Sequence, residues 1–164
     1  MNQVSVNEAA MSVNSRLRYL TPWAIAMVRV VIGFVFVMHG WQKLVDTGVG
    51  QTGDFFSSLG IPLPDLAATW VTVVELVGGL ALILGVATVV VAMLLTVDMV
   101  VAFATVHREN GVFVTDNGYE LVLVLGASCL MLMVAGPGAL ALDNRWSWKK
   151  PPLLDASERR TVSL

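Results

Sequence analysis

Four long apolar stretches constrain this chain more than any other feature of its sequence. They occupy residues 22–45, 66–84, 88–107 and 118–135, and each is about 18 to 24 residues long. An α-helix rises about 1.5 Å per residue, so about 20 residues cross a hydrocarbon core of about 30 Å. Residues 80–95 are apolar on every side of a helix, whereas a soluble bundle needs polar outer faces. The sequence therefore predicts an all-α, integral membrane four-helix bundle.

The composition excludes several classes of soluble protein. Of the 164 residues, 56% are apolar and 13% are charged, and the mean hydropathy is +0.75. A soluble domain has about 25% charged residues, so a soluble enzyme is not expected. The net charge is −2 and the basic residues lie near the two ends of the chain, so no nucleic-acid partner is expected. The single cysteine, Cys129, excludes an intrachain disulfide, a C-x-x-C pair and an all-cysteine metal site.

The distribution of lysine and arginine predicts the orientation of the bundle. Seven basic residues lie on the side of the two termini: Arg16, Arg18, Arg145, Lys149, Lys150, Arg159 and Arg160. The opposite side has only Lys43 and Arg108 nearby. By the positive-inside rule, both termini face the cytoplasm.

The same pattern divides the chain into three segments. We expect a flexible cytoplasmic N-terminus over residues 1–21, the membrane domain over 22–143 and a basic cytoplasmic tail over 144–164. Residues 85–87 form a tight hairpin, which makes the second and third helices antiparallel neighbours. The 46–65 loop is too apolar to lie free in water, so we expect it to fold back as a short helix or hairpin on the mouth of the bundle.

Three charged residues interrupt the apolar stretches. Arg29, Glu75 and Asp98 lie on the first three helices, about 10, 14 and 15 Å from the inner boundary. A charge at this depth costs about 2.5–3.5 kcal/mol, so it requires a partner or a function. We predict one buried charge network of the three, acting either as a structural clamp or as a proton or substrate relay. Gly78 and Gly79 share the face of Glu75 and allow either a helix or a flat ligand to approach.

A second polar group is predicted at the outer mouth of the bundle. Its members are His39, Gln42, Lys43, His107 and Glu120. His39 and Lys43 are four residues apart and so share a helix face. Histidine and lysine can donate to a carbonyl, and histidine or glutamate can accept a proton, which suits a quinone or another small amphipathic molecule. In the alternative, His107 and Lys43 only extend to the membrane interface.

Other cofactors are less well supported by the sequence. A haem held by His39 and His107 is not favoured, because only one of them lies well inside a predicted span and no haem-attachment motif is present. A zinc site of His39, His107 and Glu120 has suitable ligand types, but they are scattered over three helices. We therefore assign no metal, and a quinone is the cofactor that the residues favour.

Short motifs follow one another in a specific order over about residues 25–143. They are Arg29 with Gly33; His39-Gly40 with Lys43-Leu44; Phe55-Phe56 with Gly60-Ile61-Pro62-Leu63-Pro64; Glu75-Leu76-Val77-Gly78-Gly79; His107 with Gly118-Tyr119-Glu120; and Gly136-Pro137-Gly138 with Leu142-Asp143. In this order and spacing, the chain resembles the DoxX family of small prokaryotic membrane proteins.

The resemblance implies a four-helix protein of the bacterial inner membrane that is tied to membrane oxidoreductases. The related DoxD-type proteins are subunits of thiosulfate:quinone oxidoreductases, and some DoxX relatives are associated with sulfur metabolism and oxidative stress. The resemblance also implies a shared, cofactor-binding set of residues, namely His39, Lys43, Glu75, His107 and Glu120. Asp98 has no counterpart in the family pattern, so its role rests on membrane energetics alone.

We therefore expect a membrane subunit of an oxidoreductase assembly, with a quinone or small redox-substrate site near the outer mouth. Its partners are the lipid bilayer and other redox proteins, which must handle the electrons because the chain has no cofactor motif of its own. Two alternatives stay open. One is a proton-coupled carrier of a small solute, and the other is a non-catalytic anchor that docks soluble redox enzymes through its basic tail.

Overall fold

The computed structural model describes residues 3–145, and within this range it consists of helices and loops without a β-strand. The five α-helices are α1 (Gln3–Trp41), α2 (Val49–Ser58), α3 (Pro64–Leu84), α4 (Thr88–Ala102) and α5 (Glu120–Ala135). A five-residue π turn continues α1 over Gln42–Asp46, and another continues α4 over Phe103–His107. Short 3₁₀ turns occupy Val114–Asp116 and Leu142–Asn144. The predicted all-α class is confirmed.

Three helical segments are long and apolar enough to cross a membrane, namely Leu17–Asp46, Pro64–Leu84 and Thr88–His107. Their outward faces carry large apolar side chains; Val100, for example, is 61% exposed. Such a surface suits lipid contact. Helix α5 is equally apolar but has 16 residues, which is about 24 Å at 1.5 Å per residue. A fourth crossing by α5, and the cytoplasmic location of the termini, stay predictions.

Helix α1 differs from its sequence-predicted form. It begins at Gln3, where the sequence predicts a flexible segment, and it contains Pro22 in its interior. Proline lacks an N–H but its φ is compatible with a helix, so the helix can continue when neighbouring groups satisfy the freed backbone atoms. The carbonyl left without a helical donor is that of Arg18, four residues before Pro22, and Arg18 is exposed. The Thr21 hydroxyl donates to the neighbouring Leu17 carbonyl at 2.7 Å. The predicted basic tail lies, from residue 146 onward, outside the described residues.

The four long helices form a ring in the order α1, α3, α4, α5, because α1 and α4 each pack against both α3 and α5. Glycines allow α1 and α3 to approach closely. A methyl group on Gly79 would lie 2.6 Å from the backbone oxygen of Gly33, and one on Gly40 would lie 2.6 Å from the Leu76 nitrogen. These contacts fix an antiparallel register in which Gly33 faces Gly79 and Gly40 faces Leu76.

The α3–α4 hairpin defines one end of the bundle, which we name the turn end. Gly85 and Ala87 adopt left-handed conformations there (φ 68° and 48°), as a tight reversal requires. The Asp143 carboxylate accepts hydrogen bonds from the backbone N–H groups of Ala87 (2.7 Å) and Thr88 (2.8 Å). A carboxylate at this position satisfies free N–H groups of α4 and complements its dipole. Asp143 therefore ties the segment after α5 to the hairpin.

The centre of the bundle is apolar. All four long helices contribute buried side chains, which include Ile32, Leu82, Leu95, Cys129 and Leu132. This core separates the turn end from the opposite end, which carries α2 and which we name the α2 end. Helix α2 is the short helix predicted within the 46–65 loop, and it packs across α3 and the first π turn.

Candidate functional site

A cavity of about 570 Å³ lies inside the α2 end of the bundle. Side chains from all five helices and both π turns line it. Its walls are largely apolar and include Phe36, Phe55, Phe56 and Met99. The polar side chains in its lining are His39, Gln42, Lys43, Thr47, Gln51, Thr52, Glu75, Asp98, Thr105, His107 and Asn117. An apolar cavity with a few convergent polar groups is typical of a small-molecule site.

The two π turns position part of this lining. In each, a backbone N–H bonds a carbonyl five residues back: Thr47 to Gln42 at 2.9 Å, and Arg108 to Phe103 at 3.0 Å. The wider turn changes the angular position of the side chains that follow it, and such bulges occur frequently at functional sites. Lys43 and His107 lie in these turns and line the cavity. Sequence periodicity does not reveal π turns, because each is a single wider turn that continues a long helix.

Lys43 and Glu75 form an ion pair at the cavity wall. Lys43 Nζ donates to Glu75 Oε2 at 2.6 Å, and the two side chains are 22% and 5% exposed, respectively. Such a short, charge-assisted hydrogen bond is stronger than a neutral one. The pair joins the end of α1 to α3, so Glu75 has Lys43 as its basic partner instead of the predicted Arg29.

Asp98 presents a second carboxylate to the cavity. It lies in the second half of α4, and its Oδ2 atom is buried without a hydrogen-bond partner among the described residues. Two other buried side-chain atoms in the described range lack a partner, Arg29 Nε and Thr88 Oγ1, and neither residue lines the cavity. Of these three residues, Asp98 is the one that lines the cavity.

Both histidines line the cavity and are fixed through the same ring nitrogen. His39 Nδ1 lies 2.9 Å from the Val35 carbonyl oxygen, and His107 Nδ1 lies 2.8 Å from the Asn117 carbonyl oxygen. Because a carbonyl oxygen can only accept, each Nδ1 must carry the proton in these contacts. In the neutral ring, Nε2 is then the remaining acceptor.

The structure separates Glu120 from the other residues of the predicted mouth. Glu120 is absent from the cavity lining. Its Oε1 accepts a hydrogen bond from the Val114 N–H at 2.7 Å, and its own N–H donates to the Val112 carbonyl at 2.9 Å. Glu120 thus holds the connection between α4 and α5 in shape, because it lies at the first position of α5 and faces the preceding loop.

The predicted network of Arg29, Glu75 and Asp98 is also divided. Arg29 is 2% exposed and lies at the turn end, where its guanidinium donates to the carbonyls of Pro137 (2.6 Å) and Ala139 (3.4 Å). The antiparallel register of α1 and α3 explains this placement. Arg29 lies at the level of the Gly85 turn, where a methyl group on Gly85 would collide with the guanidinium. Glu75 lies about ten residues, or about 15 Å, further along α3.

Within the described residues, no three histidine, cysteine, aspartate or glutamate side chains are grouped closely enough to hold a metal ion. The arrangement can instead offer a ligand one ammonium, two carboxylates and two imidazoles around an apolar interior. Sequence reasoning missed the contribution of α2, which supplies Gln51, Thr52 and Phe56. The apolar character of the 46–65 loop predicted a short helix or hairpin on the bundle mouth, but it did not indicate which side chains point inward.

Comparison with known proteins shows the family to which the chain belongs. The sequence profile of the DoxX family matches residues 24–108, which is just over half of the chain. This chain belongs to the DoxX family. The matched DoxX segment runs from α1 to the end of the second π turn, so it contains His39, Lys43, Glu75, Asp98 and His107. Glu120 and the whole of α5 follow the matched segment.

Several curated proteins are similar to this DoxX protein over most of their length. An uncharacterized protein of Haemophilus influenzae is 33% identical over 135 residues, which cover 80% of this chain and 97% of that protein. The Bacillus subtilis protein named "Putative oxidoreductase CatD" is 32% identical over 117 residues, covering 71% of this chain and 82% of that protein. "Inner membrane protein YphA" of Escherichia coli is 28% identical over 131 residues, covering 76% and 91%. No solved structure matches the chain.

Proposed function

We propose that this protein is a membrane subunit of an oxidoreductase assembly and that its cavity binds a quinone or a small redox substrate. Membership of the DoxX family and similarity to a protein named as an oxidoreductase support the redox setting. The observation that carries the proposal is the cavity itself, in which an ion pair and an unpartnered carboxylate oxygen face an apolar interior. A polar atom buried without a partner costs free energy, so its presence favours a bound group that satisfies it.

The residues of the cavity fit a quinone in their chemistry. Bound there, a quinone would supply the capacity to take up two electrons and two protons. Phe36, Phe56 and Met99 would contact its ring, since flat aromatic groups pack well on aromatic and thioether side chains. Lys43 would donate to a ligand oxygen, and His39 Nε2 could accept a proton. Phe36 and Phe56 are buried, so packing holds their rings in place beside the cavity.

The electrons would come from partner proteins. The chain has one cysteine and no nucleotide-binding motif, so its own residues provide binding and proton transfer rather than electron storage. This division of labour is the basis for proposing a subunit. The carrier alternative has weaker support, because apolar side chains such as Leu82, Leu95 and Leu132 fill the bundle between Arg29 and the two cavity carboxylates.

Ligand binding by the purified protein tests the proposal. The full chain is reconstituted in lipid nanodiscs, and the affinity for a short-chain benzoquinone is measured by calorimetry. Glu75→Gln removes the charge that orients Lys43, so we expect about tenfold weaker binding or more. Glu109→Gln is the matched control, because Glu109 pairs with Arg108 at 3.2 Å on the surface and lies outside the cavity. Equal binding by both variants and the wild type, or no binding by any, would reject the cavity as the quinone site.

The subunit role needs a separate measurement. The tagged protein is purified from membranes of its host under mild detergent, and quinone-dependent oxidation of added donors is assayed in the purified fraction. We expect the activity to be retained with co-purifying chains and lost when they are stripped. If the chain purifies alone from native membranes and still binds quinone, the proposed quinone site stands and the subunit role is contradicted.

A further inference from the structure

Asp98 is the one charged residue of the cavity whose partner is missing from the described residues. Lys43 and Glu75 are joined to each other, and both histidines donate through Nδ1 to backbone carbonyls. Asp98 Oδ2 has no donor within reach, although it is buried at the cavity wall. A ligand that enters the cavity therefore meets a carboxyl group that no described side chain or backbone group already binds.

A carboxyl group can meet a ligand oxygen in two ways. When ionised, it accepts a hydrogen bond from a hydroxyl group; when protonated, it donates one to a carbonyl oxygen. The reduced and oxidised forms of a quinone-type ligand present a hydroxyl and a carbonyl at the same position of the same ring. In both complexes exactly one proton lies between the carboxyl group and the ligand oxygen.

We infer that Asp98 is the specificity-determining residue of the cavity and shares one proton with an oxygen of a neutral, quinone-type ligand. The ionised side chain binds the hydroxyl form, and the protonated side chain binds the carbonyl form. The inference rests on the proposed function and adds to it the group that distinguishes the two forms of the ligand. The ionised Asp98 side chain also disfavours small anions such as thiosulfate, because no described cation forms an ion pair with it.

The preference of the cavity for the hydroxyl form over the carbonyl form depends on pH through the protonation of Asp98. The ratio of the two affinities follows the ratio of ionised to protonated Asp98, and this ratio changes about tenfold per pH unit. The other groups that face Asp98 are His39 on α1, Lys43 in the first π turn, Glu75 on α3 and His107 in the second π turn. Because the two complexes differ by one charge on Asp98, a change of charge on any of these four groups also changes the ratio, and the slope is about tenfold per pH unit where their charges stay constant.

The experiment measures the affinities of a short-chain hydroquinone and its benzoquinone for the full chain in nanodiscs, without oxygen, between about pH 6 and about pH 8. The phenolic hydroxyls keep their protons in this range, since such groups titrate near a pKa of about 10. We expect the hydroquinone-to-quinone affinity ratio of the wild type to rise about tenfold per pH unit. In Asp98→Asn the ratio should stay flat, because an amide offers a donor and an acceptor at every pH. Asp54→Asn, which changes an exposed carboxylate outside the cavity lining, should keep the wild-type slope.

The outcomes separate this inference from the proposed function. If both forms bind the wild type but their ratio is flat, or if Asp98→Asn keeps the slope, the inference is wrong and the quinone site stands. If neither form binds the wild type, the proposed site fails and the inference fails with it. Competition by thiosulfate at comparable concentration would also overturn the inference. If Asp98→Asn does not assemble, the wild-type slope decides, because it requires no variant.

Discussion

The ion pair between Lys43 and Glu75 gives the most direct test of the cavity as a membrane-embedded site. The two partners differ in exposure, since the Glu75 side chain is 5% exposed and the Lys43 side chain is 22% exposed. Lys43→Met would leave an almost fully buried carboxylate without its cation, which costs about 3–5 kcal/mol. Glu75→Leu would leave a lysine whose long stem can move its ammonium toward water, so we expect a smaller cost of about 1–3 kcal/mol.

The double variant Lys43→Met/Glu75→Leu separates the attraction between the two charges from the free-energy cost of removing them from water. Replacing both partners of a buried pair with apolar residues is often close to neutral, so we expect the double variant to be more stable than Lys43→Met alone. The coupling energy from the double-mutant cycle should then be about 2 kcal/mol or more. The free energy of unfolding is measured by titrating micelle-solubilised protein with a denaturing detergent and following helical circular dichroism.

The surface pair between Arg108 and Glu109 is the matched control. Its nitrogen and oxygen lie 3.2 Å apart, but its side chains are 60% and 80% exposed. An exposed pair of this kind contributes at most about 1 kcal/mol, so the equivalent cycle should give a coupling near zero. If the two cycles give equal coupling energies, or if Lys43→Met costs no more than Glu75→Leu, water fills the cavity and the reasoning from burial is wrong.

Three further predictions follow from local geometry. Gly79→Ala should destabilise the bundle by about 1–3 kcal/mol in the same unfolding assay, because the added methyl group would lie 2.6 Å from a backbone atom of α1. Gly78→Ala should be tolerated, because its methyl group would meet only side chains, at 3.4 Å or more. Asp143→Ala should cost about 1–2 kcal/mol, since it removes both acceptors at the start of α4; hydrogen exchange that leaves this helix start as protected as in the wild type would contradict the role. Glu120→Gln should keep the Val114 hydrogen bond and leave quinone affinity within about twofold, and a larger loss would return Glu120 to the binding site.

The helices could largely be predicted from the sequence, because helices long enough to cross a membrane are continuous apolar stretches. The second predicted helix, 66–84, corresponds to α3 at Pro64–Leu84, and the third, 88–107, corresponds to α4 with its π turn. Gly85 marks the reversal between them, as a short glycine-containing connection predicts. The start of α1 was not readable, because Pro22 and the polar residues before it also fit the beginning of a helix.

The site was only partly readable, because depth in a bundle depends on register rather than on distance along one helix. Arg29 was placed beside Glu75 and Asp98 by counting residues from the start of the apolar stretch. In the structure the register of α1 against α3 is set by glycine contacts, which bring Lys43 rather than Arg29 to Glu75. Both lysine and arginine would have fitted a carboxylate, so residue type alone could not decide between them.

The two ends of the bundle show how a buried polar group that holds a fold differs from one that serves a ligand. At the turn end, the terminal nitrogens of Arg29 donate to backbone carbonyls and both oxygens of Asp143 accept from backbone N–H groups. Arg29 Nε and Thr88 Oγ1 are buried there without a described partner, but neither residue lines the cavity. At the α2 end, Lys43 and Glu75 are paired, but Asp98 keeps an unused acceptor on a cavity wall. Packing could have covered this oxygen with an apolar side chain at the same position on α4, and stability alone favours that exchange. A carboxylate retained at such a cost is best explained by a second role, which is to meet a group that enters the cavity.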